Sequence, residues 1–138
     1  MGRGYALARR SDKSVPEKTQ IILGDTMGEL LLMFGASDIA FVGGSLVPNG
    51  GHNFIEPAAW ALPILSGPHV FNFSEVARLL TASGGLQLLS SANEIAQAVE
   101  LLSVNPLDRK KQGDSALRVA NENRGALKRT VEMIEQFL

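Results

Sequence analysis

Cysteine is missing from the 138-residue sequence. Its absence excludes disulfide bonds, thiolate metal sites and cysteine nucleophiles together, and it fits a reducing compartment. The sequence also lacks an apolar run near the roughly 20 residues that a membrane helix needs, and its start has no apolar signal-peptide region. The formal net charge is only −1, so no overall field favours nucleic acid or an anionic membrane as a partner.

What is present is the composition of a folded domain. Hydrophobic residues make up 45% of the sequence and charged residues 20%, which is typical of soluble globular proteins. A chain of this length can bury roughly two-thirds of the surface that its unfolded form exposes. We therefore expect one domain over residues 1–138. Its first strand is expected within a few residues of Met1, which is typical of a piece excised from a longer protein.

Short apolar segments alternate with segments of helical periodicity along the chain. Strands are predicted over residues 5–8, 19–23, 39–42, 63–65 and 85–89. Helices are predicted over residues 27–35, 54–61, 73–82, 91–103 and 107–138, the last with a break near 123–125. This alternation predicts an α/β fold with a doubly wound parallel sheet. Ligands of such folds bind at the loops that follow the carboxyl ends of the strands.

The first unusual loop follows the second predicted strand and reads GDTMGEL from residue 24. Thr26 and Glu29 have the spacing of a capping box, and this structural role remains an alternative for Glu29. It does not explain Gly28, because a glycine inside a helix costs roughly 1 kcal/mol relative to alanine. We predict that a flat nucleobase lies against Met27 and Gly28 and is read by main-chain groups.

The second unusual loop follows the strand predicted over residues 39–42 and contains two glycine pairs. Glycine lets main-chain N–H groups turn toward an anion, and the start of a helix adds unpaired N–H groups. We therefore predict a phosphate site here. Neither the Walker A pattern nor G-x-G-x-x-G is present, so ATP hydrolysis and dinucleotide binding are not supported. The further candidates in this loop are Gly44, Ser45, Gly51 and His52.

Glu56 follows this loop and has two alternative roles. Asn53 and Glu56 have capping-box spacing, which would make the carboxylate structural. Alternatively, the carboxylate accepts both hydroxyls of a ribose. His52 has the same ambiguity, because it either donates to a phosphate or carries a proton, or else orients the loop through a main-chain carbonyl. There is no Asp-x-Asp motif and no His/Asp cluster at metal spacing, so we expect no metal and no other cofactor.

Three stretches resemble the 3-deoxy-D-manno-octulosonic acid (Kdo) transferases of lipopolysaccharide synthesis. They are GDTMGEL, FVGGSLVPNGGHNFIEPAAWALPIL and GPHVFNF, which lie between residues 24 and 73. The family has the GT-B architecture, in which two Rossmann-like domains face a cleft. The resemblance implies that this chain is the C-terminal, donor-binding domain. The residues that it implies as contacts for CMP are Met27, Gly28, Glu29, Asn53, Phe54, Ile55 and Glu56.

The resemblance also implies a reaction and its partners. A hydroxyl of a lipid A precursor attacks the anomeric carbon of CMP-Kdo with inversion, and CMP leaves. The family's general base, its membrane anchor and part of its CMP site belong to an N-terminal domain. We therefore expect this chain to be soluble, to bind CMP weakly and not to transfer sugar alone, while the full-length protein acts at the cytoplasmic face of the bacterial inner membrane. The alternatives are a UDP-sugar transferase, an epimerase or a non-catalytic nucleotide-binding module.

Overall fold

The computed structural model describes residues 4–138, which fall into two compact units, one ending at Met33 and one running from Phe34 to Leu138. The first unit contains two short parallel strands, β1 (Leu7–Arg9) and β2 (Ile21–Leu23). Helix α1 (Leu30–Gly35) begins in this unit after a loop of six residues. The loops that follow β1 and β2 therefore leave the same edge of this small sheet.

The second unit is built on a three-stranded parallel sheet. Its strands are β3 (Ala40–Val42), β4 (Ile64–Ser66) and β5 (Leu86–Leu88), in the order β3-β4-β5. All three residues of the central strand β4 are buried. This is typical of a parallel strand that is covered by helices on both faces.

Helices cover both faces of this sheet. They are α2 (Ile55–Ala59), α3 (Ser74–Ser83), which follows a 3₁₀ turn (Phe71–Phe73), α4 (Ala92–Val104) and α5 (Pro106–Glu135). Ile64 belongs to a core cluster with residues of α2, α3 and α5, whereas its neighbour Leu65 packs with Ala98 and Leu102 of α4. Adjacent residues of a strand point to opposite faces, so α4 covers one face and the other three helices cover the opposite face.

The predicted α/β class with parallel strands is confirmed. The five strands occur where they were predicted, but each has only three residues and they form two sheets within residues 4–138. Ser91 caps the start of α4, because its hydroxyl accepts a hydrogen bond from the Glu94 N–H at 3.2 Å.

Two helix predictions were wrong. Helix α5 continues through residues 123–125 without the expected break, because glycine keeps its N–H donor and only lowers helix propensity. Helix α1 begins at Leu30 rather than near Met27. Gly28 has a φ of 78°, a left-handed conformation that cannot belong to a right-handed helix.

Half of the surface of Trp60 is exposed. Its ring covers Gly35, where an added Cβ would lie 3.1 Å from two ring carbons. Among residues 4–138, no helix combines the length and the apolar character that crossing a bilayer requires.

Gly113 provides a test of how closely α5 packs. A Cβ at this position would collide with the carbonyl oxygen of Ala61. We expect Gly113→Ala to lower the free energy of unfolding by about 1–3 kcal/mol, the usual cost of overpacking. Gly125→Ala in the same helix is the control, since only the flexible end of Arg129 comes near, at 3.4 Å, and it is expected to raise stability by up to about 1 kcal/mol. Urea denaturation measures both values, and equal effects would contradict this packing.

Candidate functional site

The loop between β3 and α2, residues 43–52, is called the glycine loop below. Gly44, Gly50 and Gly51 have φ angles of 69°, 92° and 78°, a region that residues with a Cβ rarely adopt. The N–H of Gly51 donates to the carbonyl oxygen of Gly44 at 2.9 Å. The two glycine pairs therefore meet in space, and their conformation explains why glycine is required at these positions.

Ser45 anchors the glycine loop through buried hydrogen bonds. Its side chain is completely buried, and its hydroxyl donates to the carbonyl oxygen of Val42 at 2.8 Å while accepting from the N–H of Gly67 at 2.8 Å. The N–H of His69 donates to the carbonyl oxygen of Ser45 at 2.9 Å. The hydroxyl thus acts as a donor and as an acceptor within the fold. Ser45 therefore supports the loop and does not present its side chain to solvent.

A second anchor joins the glycine loop to residues 67–72, here called the supporting loop. The N–H of Asn72 donates to the carbonyl oxygen of Gly50 at 3.2 Å, and its side-chain amide donates to that of Asn49 at 3.1 Å. A Cβ on Gly50 would collide with the Asn72 side chain and would lie 2.6 Å from a ring carbon of Phe71. Asn72 therefore fixes the far end of the glycine loop, a role that the sequence did not reveal.

His52 lies at the exposed end of the glycine loop. An added Cβ on Gly44 would lie 3.0 Å from Nε2 of His52, so the imidazole covers this glycine. Within the described part of the chain, the imidazole donates to no main-chain carbonyl. The purely structural alternative proposed for His52 therefore has no hydrogen bond to support it, and the ring is free to meet a ligand.

The start of α2 is fixed by two contacts. Oδ1 of Asn53 accepts a hydrogen bond from the N–H of Ile55 at 2.8 Å. The side chain of Phe54 is fully buried, and its ring packs edge to face on Phe73 with 6.2 Å between ring centroids. Any contact of Phe54 with a ligand would therefore involve its main chain.

Glu56 lies in the first turn of α2 and is half-buried. Its carboxylate makes no hydrogen bond and no ion pair with another residue in the range 4–138. The reciprocal bond of a capping box is therefore not formed, and the structural alternative for Glu56 is not observed. A carboxylate without partners keeps its full capacity to accept hydrogen bonds.

The other predicted segment, residues 27–29, lies in the first unit. The side chain of Met27 is 97% exposed, and no atom lies within 4 Å of a Cβ placed on Gly28. Oε2 of Glu29 accepts a hydrogen bond from the Thr26 hydroxyl at 2.9 Å and lies 3.0 Å from Nε of Arg10. Thr26 thus bonds to the Glu29 side chain instead of capping the main chain of a helix.

Arg10, Ser11 and Asp25 form contacts that were not predicted from the sequence. Ser11 donates to the Asp25 carboxylate through its hydroxyl and its main-chain N–H, at 2.5 and 3.0 Å, and these bonds lower the pKa of Asp25. Because β1 and β2 are parallel neighbours, the loops that follow them lie side by side. That rule could have paired Arg10 and Ser11 with the GDTMGEL loop. Within residues 4–138, no group of three or more His, Asp or Glu side chains is placed to hold a metal ion.

Comparison with known proteins identifies the relatives of this chain. No protein-family model matches it. The chain is 47% identical over 136 residues to the 3-deoxy-D-manno-octulosonic acid transferase of Haemophilus influenzae and 37% identical over 138 residues to that of Bordetella pertussis. These alignments include 97% and 98% of the chain. The chain is a homologue of the Kdo transferases. It spans 32% of the length of each of these two relatives.

A solved structure supports the same relationship for the fold. The crystal structure described as the C-terminal CMP-Kdo binding domain of WaaA from Acinetobacter baumannii matches with a TM-score of 0.79 and 32% sequence identity. The match covers 83% of this Kdo transferase homologue and 61% of that chain. The resemblance inferred from the sequence and the expected C-terminal GT-B fold are thereby confirmed, whereas the individual CMP contacts stay predictions.

The anchoring role of Ser45 can be tested by removing its hydroxyl group. Ser45→Ala leaves the buried N–H of Gly67 without an acceptor, so we expect the free energy of unfolding to fall by about 1–3 kcal/mol. Ser103→Ala is the control, because its hydroxyl bonds to Val99 on an exposed helix surface, and a change within about 0.5 kcal/mol is expected. Thermal or urea unfolding measures both, and a neutral Ser45→Ala would contradict the anchor.

Proposed function

We propose that this chain holds the CMP part of CMP-Kdo, as the donor-binding portion of a Kdo transferase. The relatives' names and the CMP-Kdo binding of the solved relative support this class of ligand. The observation that carries the proposal is local to the second unit. A glycine loop with left-handed glycines leads into a helix whose first turn bears a half-buried carboxylate that has no partner among the described residues 4–138.

The phosphate of CMP is proposed to lie at the end of the glycine loop. The main-chain N–H groups of His52 and Asn53 have no acceptor within residues 4–138, while that of Ile55 is already used by Asn53. Gly44 brings no side chain into this region, and the His52 imidazole lies beside it. Unpaired N–H groups of this kind bind anions, and a ring N–H of the imidazole adds another donor.

The ribose is proposed to bind Glu56. A carboxylate would repel the phosphate, but it accepts hydrogen bonds from two neighbouring hydroxyls. Hydrogen bonds to a charged acceptor are stronger than those between neutral groups, and their strength increases where water is partly excluded. The half-buried position of Glu56 in the first turn of α2 meets this condition.

The nucleobase is proposed to bind segment 27–29. Met27 offers a fully exposed thioether side chain, and Gly28 leaves its main chain open to a flat ligand. Polarizable sulfur makes favourable contacts with aromatic rings. The exposure of Met27 therefore supports a role in stacking rather than in a hydrophobic core.

The reaction is proposed for the longer protein. A hydroxyl of a lipid A precursor attacks the anomeric carbon of CMP-Kdo with inversion, and the glycine loop stabilises the charge that develops on the departing CMP. Because the chain spans 32% of its curated relatives, we propose that the general base comes from elsewhere in the longer protein. That protein is proposed to act at the cytoplasmic face of the inner membrane. The 138-residue chain is expected to bind CMP weakly without turning over CMP-Kdo.

A titration of CMP into the chain by calorimetry tests the proposal. We expect Glu56→Ala to weaken binding by about 1–3 kcal/mol, the value of hydrogen bonds to a charged group. Glu100→Ala is the matched control, because Glu100 is exposed on α4 and has no described partner, and it is expected to bind CMP as the wild type does.

Two results would contradict this account. If Glu56→Ala binds CMP with unchanged affinity, Glu56 does not hold the ribose. If the wild-type chain binds UMP but not CMP, or neither, the assignment of the donor is wrong.

A further inference from the structure

The two oxygens of the Glu29 carboxylate have different surroundings. Oε2 accepts a hydrogen bond from the Thr26 hydroxyl at 2.9 Å and faces Nε of Arg10 at 3.0 Å. Oε1 has no hydrogen-bond partner within residues 4–138, and 32% of the side-chain surface is exposed. The carboxylate is therefore held by one oxygen, while the other is available as an acceptor of fixed direction.

Arg10 is itself fixed relative to the loop that carries Glu29. Its main-chain N–H donates to the carbonyl oxygen of Leu23, the last residue of β2, at 2.8 Å. The next residue, Ser11, bonds to Asp25 in the same loop. Arg10 and Glu29 thus belong to one locally connected frame, and the carboxylate has its orientation before any ligand arrives.

A purely structural role explains this arrangement poorly. The two side chains of the ion pair are 46% and 32% exposed, and ion pairs at the protein surface contribute only about 0–1 kcal/mol to stability. A capping glutamate would accept from a main-chain N–H, but no main-chain N–H in the described part of the chain donates to the Glu29 side chain. The free oxygen lies on the residue that follows exposed Met27 and open Gly28, which are the positions proposed to meet the base.

We propose that Glu29 selects cytosine over uracil by accepting a hydrogen bond from the exocyclic amino group at Oε1, and that Arg10 is the positioning residue that orients it. This inference rests on the proposed binding of CMP. Cytosine presents an N4 amino donor, which acidic side chains accept. Uracil presents a carbonyl oxygen at the same position, which places two acceptors against each other and leaves the carboxylate unpaired.

The experiment compares the affinities of CMP and UMP for the whole 138-residue chain. The wild type is expected to favour CMP by on the order of tenfold or more, as a base-reading hydrogen bond does. Glu29→Gln is expected to bring the ratio of the affinity for CMP to the affinity for UMP, called the CMP:UMP ratio below, close to one. Its amide offers an N–H donor to uracil as well as an oxygen to cytosine.

Three further variants distinguish a specific positioning role of Arg10 from a general effect on the order of the loop that carries Glu29. Arg10→Ala is expected to lower the CMP:UMP ratio, and Arg10→Lys to restore part of it, since lysine keeps a cation beside Oε2. Ser11→Ala removes the neighbouring hydroxyl bond to Asp25, keeps the main-chain bond and is expected to leave the ratio unchanged. Circular dichroism verifies that each variant is folded.

The outcomes distinguish this inference from the proposed function. If CMP binds in a Glu56-dependent way but Glu29→Gln keeps the wild-type ratio, the base-selection role is overturned and the donor site stands. If Ser11→Ala lowers the ratio as much as Arg10→Ala, Arg10 acts only through loop order. If CMP does not bind the wild type, both proposals are overturned.

Discussion

The shape of the glycine loop in the candidate site depends on the hydrogen bonds of the buried Ser45 hydroxyl. It joins the end of β3 to the supporting loop that follows β4, and it is supplemented at the far end by Asn72. Parallel strands bring these two loops to the same edge of the sheet, but only the hydrogen bonds fix their mutual position. The glycine loop therefore has a defined conformation although none of its residues belongs to a helix or a strand.

The two acidic residues proposed to meet the nucleotide differ in how they are held. Glu56 has no partner within residues 4–138 and is placed by the start of α2, which buried Phe54 fixes. Glu29 is also half-buried, but it is held by Arg10 and Thr26. A carboxylate with both oxygens unbonded suits a pair of neutral hydroxyls, whereas a carboxylate that a cation holds by one oxygen presents the other oxygen in a particular direction. The different surroundings therefore agree with different tasks, the ribose for one and the base edge for the other.

Most of the fold could be predicted from the sequence, because apolar strand segments and helical periodicity are local signals. The wrongly predicted helix bounds and the contacts that were not predicted depend on backbone conformation and close packing. Because Gly28 has a left-handed φ, α1 begins later in the sequence than predicted. Helix α5 continues past Gly125, because a single glycine does not remove a hydrogen bond. The glycine loop was visible as a motif, but the roles of Asn72 and Arg10 depend on contacts between segments far apart in sequence. No spacing rule within a single loop reveals such contacts.

The most direct test of the central claim is a ¹H–¹⁵N NMR titration of the chain with CMP. The largest amide shifts are expected at His52, Asn53 and Glu56, together with residues 27–29, while residues of the α5 helix change little. Amide shifts that concentrate elsewhere in the chain, or no saturable shifts at all, would contradict the assignment of the glycine loop as the nucleotide site.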